Sequence, residues 1–335
     1  MRRGIAFFLL LLPLLWVTWG WDRSVHRDHR QILKITPMLS PARIGALAPL
    51  GPFRVDGLWR LTSPNSYFTG WSALAVMPSG AFMAFSDRNM RLRFTPPGFT
   101  GPQPPALHRT VIRRAVFARR ADRSLADLDI ESVVLRPEGT FWFGTEDDAR
   151  LIRIAPDRHH GSFVPVPEMK DWPVNGGAEA MTIMADGRWA ILCETCGPRR
   201  GGLHLGLLFP GDPGVAPPRK FGIVLPPGFD PVDMAPLPDG RLLILTRRLS
   251  YLPLHFESGL VLADLAGLDP DRPLQTRELA RITQPDLREN YEGMVVQQDA
   301  AGTSVWLLSD DNGAASQQTR LIKLRLDREA LGRAR

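Results

Sequence analysis

The sequence predicts an all-β chain assembled from four-stranded sheets repeated around an axis. Three observations predict it. Thirty glycines and 31 prolines among 335 residues punctuate short apolar runs, the composition of a turn-rich β chain. Five hairpin units recur, each an apolar run, a turn glycine and a second apolar run. Two further strand candidates follow the second, third and fourth of these hairpins. Units of four strands recurring every 48 to 59 residues make a β-propeller. With 44% hydrophobic residues, the chain can bury a large core.

Residues 1–21 open Met-Arg-Arg-Gly and continue as about fifteen apolar residues through Trp19. This is the layout of an export signal. No clear small-x-small cleavage site follows, so an uncleaved membrane anchor competes with a cleaved signal. Either way the body is expected in the periplasm or outside the cell, with any tether at the inner membrane. Residues 22–50 read as a linker and residues 51–330 as the propeller. Phe53–Thr62 alternates like a strand but precedes the first hairpin and so lacks a partner of its own. Thr319–Leu326 reads as a strand after the last hairpin. If the first completes the blade of the second, the ring closes and two exposed sheet edges vanish. Five blades are counted; a sixth, degenerate one within residues 88–128 or 195–232 stays open. Helix is confined to a turn or two, with Ser124–Asp129 the best short candidate.

The hairpins run from Ser72 to Asp87, Glu131 to Glu146, Glu179 to Glu194, Asp233 to Arg247 and Glu292 to Asp310. Their separations are 15, 15, 15, 14 and 18 residues, with the turn glycine near the middle of each. In an antiparallel hairpin the first and last residues meet at one end. In a propeller that end lies on the axis. Eight of these ten positions are acidic, the exceptions being Ser72 and Arg247. Carboxylates so close raise one another's pKa until protons or a cation enter. Oxygen donors suit a hard divalent cation, and Ca²⁺ best. Asp87, Glu131, Glu179, Asp233, Glu292, Asp310 and Asn312 are its candidate ligands. The competing reading has the acids paired with Arg88, Arg247, Arg248 and loop amides, pinning the blades together.

The net charge is +6, and four of these charges lie in residues 1–34, so nucleic acid is not an expected partner. The basic run from His108 to Arg120 reads as an outer strand guarded by arginines, or as an anion-binding stripe. One Cys193-Glu-Thr-Cys196 motif is not a zinc site. A local disulfide and two free thiols are both open. Gly-x-Ser-x-Gly elbows, P-loops and dinucleotide fingerprints are absent. His159-His160 reads as a surface loop pair. Trp59, Trp71, Trp142, Trp189 and Trp306 fall in or beside strands and are expected in the blade cores.

The segments Ser72-Ala-Leu-Ala, Glu179-Ala-Met, Asp233-Met-Ala-Pro-Leu-Pro-Asp-Gly, Asn290-Tyr-Glu-Gly-Met and Leu308-Ser-Asp-Asp-Asn resemble the bacterial phytase-like family, described as having esterase-like activity of phytase. The similarity covers about residues 55–326. It implies a β-propeller and a calcium-dependent phosphoester hydrolase. The combined expectation is an exported, calcium-dependent hydrolase of phosphoesters or esters. Glu131, Glu179, Glu292 and Asp310 would hold the cation, and Glu146 or Glu194 would serve as general base. Arg247 would steady an anionic substrate, with Arg88 and Arg248 beside it. A lactone-hydrolysing propeller and an envelope binding module with a structural metal are the alternatives. The expected partner is a small anionic or ester substrate, the membrane is met only through the N-terminal segment, and the chain is expected to be a monomer.

Overall fold

The computed structural model describes residues 27–99, 105–109, 129–145, 150–157, 159–173, 176–197, 201–269 and 271–333. The chain forms β1 (Lys34–Pro37) and β2 (Phe53–Thr62), then five hairpin-led sheets. The first blade is β3 (Trp71–Val76), β4 (Phe82–Ser86), β5 (Met90–Phe94) and β6 (Ala106–Arg109). The second is β7 (Ile130–Leu135), β8 (Phe141–Thr145), β9 (Arg150–Ile154) and β10 (Gly161–Pro165). The third is β11 (Ala180–Ile183), β12 (Trp189–Leu192), β13 (Leu203–Phe209) and β14 (Arg219–Val224). The fourth comprises β15 (Asp230–Pro236), β16 (Leu242–Tyr251) and β17 (Leu254–Ala263). After β18 (Leu274–Gln275), β19 (Arg277–Ile282) completes that blade. The fifth contains β20 (Tyr291–Asp299), β21 (Gly302–Ser309) and β22 (Arg320–Leu326), with β2 as its fourth strand.

This is a five-bladed β-propeller. As the sequence pattern implies, β2 pairs antiparallel with β22, from Phe53 opposite Leu326 to Arg60 opposite Arg320. One strand from each end of the chain therefore shares a sheet, and neither is left as a bare edge. Five apolar clusters fill the five gaps between blades, including the gap between the last and the first. There Trp306 and Leu308 of β21 meet Phe82 and Trp71. Trp142 and Trp189 meet edge to face, 5.2 Å apart, between the second and third blades. Trp71, Trp142, Trp189 and Trp306 are fully buried, while Trp59 is half-buried and stacks on Trp306. Sheet-on-sheet burial of this kind dominates folding stability.

Two short strands lie outside the four-per-blade count. Within the stretch read as a linker, β1 pairs antiparallel with β2, and Pro41–Gly45 forms one helical turn capped by Ser40. Ile35 alternates inward here against the first and fifth blades, which is why this polar stretch orders. The connection from β17 to β19 lends β18 to the neighbouring blade, parallel to β14. Ser124–Leu128 and most of the basic run from residue 110 onward lie outside the described residues, as do residues 1–26.

Candidate active site

Four of the five innermost strands carry a β-bulge at the same place, and the bulge decides which side chains reach the axis. The extra residues are Ser72 in β3, Glu131 in β7, Val232 in β15 and Glu292 in β20. A bulged residue leaves the ladder and its side chain is re-aimed. In the third blade, Glu179 holds the equivalent place immediately before Ala180, which pairs with Leu192. On the second strands the matching residues stand two past the partner of the residue that follows the bulge position: Asp87 past Phe85, Glu194 past Leu192, Arg247 past Leu245 and Asp310 past Leu308. Glu146, the fifth, lies outside the described residues.

This register corrects one expectation. Asp233 does not join the mouth acids; Val232 holds its blade's bulge position. Counting eight residues back from each turn glycine finds Ser72 from Gly80, Glu131 from Gly139, Glu179 from Gly187 and Val232 from Gly240. The 14-residue spacing of the fourth hairpin was the sequence signal of this one-residue offset. Asp233 is instead buried against two main-chain donors. Its Oδ1 accepts from the Met234 amide at 2.8 Å and its Oδ2 from the Met294 amide at 2.6 Å. The second bond crosses to the fifth blade. Asp233 is therefore a pin between inner strands, and burial raises its pKa well above the usual range.

The remaining acids converge. Arg247 sits among them, its Nη2 donating to Glu194 Oε1 at 2.8 Å and its Nη1 to Glu292 Oε1 and to Asn290 Oδ1. Asn290 closes the triangle, donating from Nδ2 to Glu292 Oε1 at 2.8 Å. Burial works against the arginine's charge, yet Glu292, Glu194 and Glu179 around it hold the guanidinium more firmly protonated than usual. Arg247 thus grips two carboxylates rather than standing free for substrate.

Around this pair the acids crowd beyond what one arginine neutralises. Burial pushes Glu292 up to about 8, with Asp310 and Glu194 adding to the push and Arg247 opposing it. Burial likewise lifts Asp310 to about 6, with Asp311 adding and the Asn312 amide opposing. Asp87 rises to about 7, through burial and then the Asp310 charge. Glu131 lies well above the usual range, through burial, Glu179, Asp129 and Glu292. Such mutual repulsion requires one shared opening.

Local backbone positions these groups. Gly70 has φ +73°, and a Cβ there would overlap the Asp87 carboxylate, so only glycine lets Asp87 lie against the chain. Cys193 and Cys196 are disulfide-bonded, and Glu194 sits inside that four-residue ring. Asp311, adjacent to Asp310, is turned away into structure: it accepts from Thr69, Gly70, Gly313 and Thr319 and ties the fifth blade to the first. Asn312 is exposed, its amide nitrogen donating to Gln317 at 2.8 Å. Arg88 is exposed at the rim, 3.8 Å from Asp87. Arg248 points elsewhere, pairing with Glu257 and lying over the Phe229 ring. His160 is exposed and bonds Asp157.

The sequence places Asn290 beside Glu292, as found, but does not show its contact with Arg247, and Asp129 was missed as a neighbour of Glu131. The signal for Asp129 was present: it stands two residues before Glu131, on the mouth side of the same strand. The donor set is all oxygen, and the buried Asp87 Oδ1 has no hydrogen-bond partner. By kind, these donors fit a hard cation. Among the described residues, no three acidic, imidazole or thiol side chains already stand as a metal cage.

Fold and site together define a five-bladed propeller whose axial mouth gathers acids around a bridging arginine. The sequence pattern of the phytase-like family, described as esterase-like activity of phytase, matches residues 66–313, and the chain belongs to that family. Distant likeness extends to solved propellers. A protein described as a gluconolactonase shares 13% identity over 89% of this chain and 90% of its own, with a TM-score of 0.45. The α-L-arabinofuranosidase of Podospora anserina shares 11% over 80% and 96%, with a TM-score of 0.46. Virginiamycin B lyase from Staphylococcus aureus shares 11% over 88% and 99%, with a TM-score of 0.41. None of the curated proteins compared matches the chain.

Proposed function

We propose that the mouth hydrolyses phosphoesters or esters with the help of a divalent cation, calcium by the chemistry of its donors. The observation that carries this reading is the convergence of Asp87, Glu131, Glu292 and Asp310, all lifted above the ordinary carboxylate range, around the Arg247 pair. Carboxyl groups poised between about 6 and 8 exchange protons at neutral pH. Asp87, Glu131, Glu179, Glu292 and Asp310 would hold the cation. When bound, it supplies Lewis-acid polarisation of the substrate oxygen and charge for the acids around it.

The side chains divide the remaining work. Glu194, held by Arg247 and by its disulfide ring, is oriented to take a proton from attacking water. Glu194 then returns that proton to the leaving oxygen, while Glu292 shares the Arg247 guanidinium with it. Arg88 at the rim attracts the anionic substrate. We place the activity outside the inner membrane: residues 1–21 carry an export or anchor pattern, and the disulfide suits an oxidising compartment.

The test uses p-nitrophenyl phosphate, phytate, p-nitrophenyl acetate and a lactone, with calcium or with chelator. Turnover that disappears with chelator while circular dichroism is unchanged is the expected result. Silence on all four, with a lower melting temperature on chelation, would reduce the mouth to a structural cation site. Glu179→Gln is expected to weaken calcium binding at least about tenfold by calorimetry, since it removes a charged ligand. Unchanged affinity would remove Glu179 from the site.

A further inference from the structure

Strands β16 and β17 continue past the mouth. Arg247 pairs with Ser258 at mouth level, and four more pairs follow, ending with Tyr251 opposite Leu254. At about 3.3 Å per residue, the hairpin rises roughly 13 Å above the acids. Its base is anchored: Arg248 pairs with Glu257 and lies over Phe229. Its tip is apolar and bare. Tyr251 is 75% exposed, Leu252 94% and Leu254 72%, the largest concentration of exposed apolar side chains among the described residues.

A second feature lies on the same face. The described chain begins at Arg27, and Asp28 exchanges main-chain and side-chain hydrogen bonds with Ser66. Ser66 belongs to the loop that leads into β3 at the mouth, where Thr69 bonds Asp311. The described chain therefore enters the propeller on its mouth side, a few residues after the apolar run of the sequence. The six residues from Trp21 to Arg27 reach at most about 20 Å. The tip and the entry point of the chain thus lie on one face, with an apolar segment of sequence within that reach of it.

We infer that the Tyr251–Leu254 tip docks into a lipid bilayer surface, so that the propeller's mouth faces the membrane. An aromatic hydroxyl beside leucines suits the boundary between headgroups and acyl chains. A hairpin with a rigid charged base and an apolar tip carries those side chains to that depth. This docking does not depend on the chemistry proposed above.

The two native cysteines are bonded to each other, so Leu252→Cys in the full chain offers one free thiol for an environment-sensitive nitrobenzoxadiazole label. A label at Ser79→Cys, in an exposed turn at the opposite end, is the control. With vesicles of equal parts phosphatidylethanolamine and phosphatidylglycerol, emission from position 252 should rise severalfold. Spin-labelled lipid should quench it, with position 79 unaffected. Equal responses at the two positions would overturn the inference. So would protection of position 252 that tracks protein concentration without vesicles, which would assign the tip to a second copy of the chain. Hydrolysis of p-nitrophenyl phosphate, read on the same samples, separates the two proposals: lost turnover with quenching retained leaves the docking standing.

Discussion

At the scale of single residues, the contrast between Asp233 and Glu292 separates structure from chemistry. Both are buried acids near the axis, and both are lifted in pKa by burial. Asp233 meets only amides, whereas Glu292 meets Arg247, Asn290 and the charges of other acids. Asp233→Ala leaves the Met234 and Met294 amides without their acceptor. It should cost about 1–3 kcal/mol in urea unfolding while leaving kcat within about twofold of the parent. Arg247→Met is the opposite experiment. Above about pH 8, where Glu292 is ionised, it strands the Glu194 and Glu292 carboxylates, and breaking one side of a buried ion pair costs about 3–5 kcal/mol. Adding Glu292→Gln to Arg247→Met should recover part of that loss, because the stranded charge goes with it. A double mutant no more stable than the single would show that Glu292 is not the partner that matters.

At the scale of elements, the hairpins were legible because their turn glycines are. Gly80, Gly139, Gly187 and Gly240 all adopt positive φ at the tips where the sequence placed them. Apolar alternation then set β2, β13 and the inner faces of the blades. What the sequence pattern hid was the bulge, since a one-residue insertion leaves composition and periodicity nearly intact while exchanging the two faces of a strand. The offset in the fourth blade showed only as a 14-residue spacing, because Asp233, one residue past the bulge position Val232, is the nearest acid there. The four-residue strand β1 was equally hidden, since Lys34–Pro37 has no apolar alternation long enough to read. The Cys193–Cys196 ring has a consequence at this scale too. Cys193→Ser with Cys196→Ser removes a constraint on a four-residue loop, worth about 2 kcal/mol by chain entropy. Because Glu194 sits inside the ring, turnover should fall about tenfold, as expected when a reacting group is loosely placed. Equal turnover in the reduced and oxidised protein would show that Arg247 alone positions Glu194.

At the scale of the whole molecule, the propeller joins two sets of acids with opposite linkage to folding. The exposed carboxylates Asp157 and Asp299, each held down to about 2 by hydrogen bonds from His159 and Arg325 respectively, stabilise the fold above the unfolded pKa and lose that effect as pH falls toward 2. The mouth acids do the reverse. Asp310, Asp87 and Glu292 have folded values of about 6, 7 and 8, against about 4 in the unfolded chain. Between those limits the folded state binds more protons than the unfolded one, so stability is lost as pH rises from 5 through 8. In chelator, the melting temperature should peak near pH 5 and fall by roughly 5–10 °C by pH 8, a shift worth about 2 kcal/mol or more for a chain of this size. A cation at the mouth replaces those protons. With millimolar calcium, the alkaline limb of the curve should flatten, and proton release should accompany calcium binding at pH 6.5. In Glu131→Gln combined with Glu292→Gln, two of the lifted acids no longer titrate, so the slope should shrink even without calcium. If the melting temperature instead climbs from pH 5 to 8 in chelator, the acids are not sharing one low-dielectric opening.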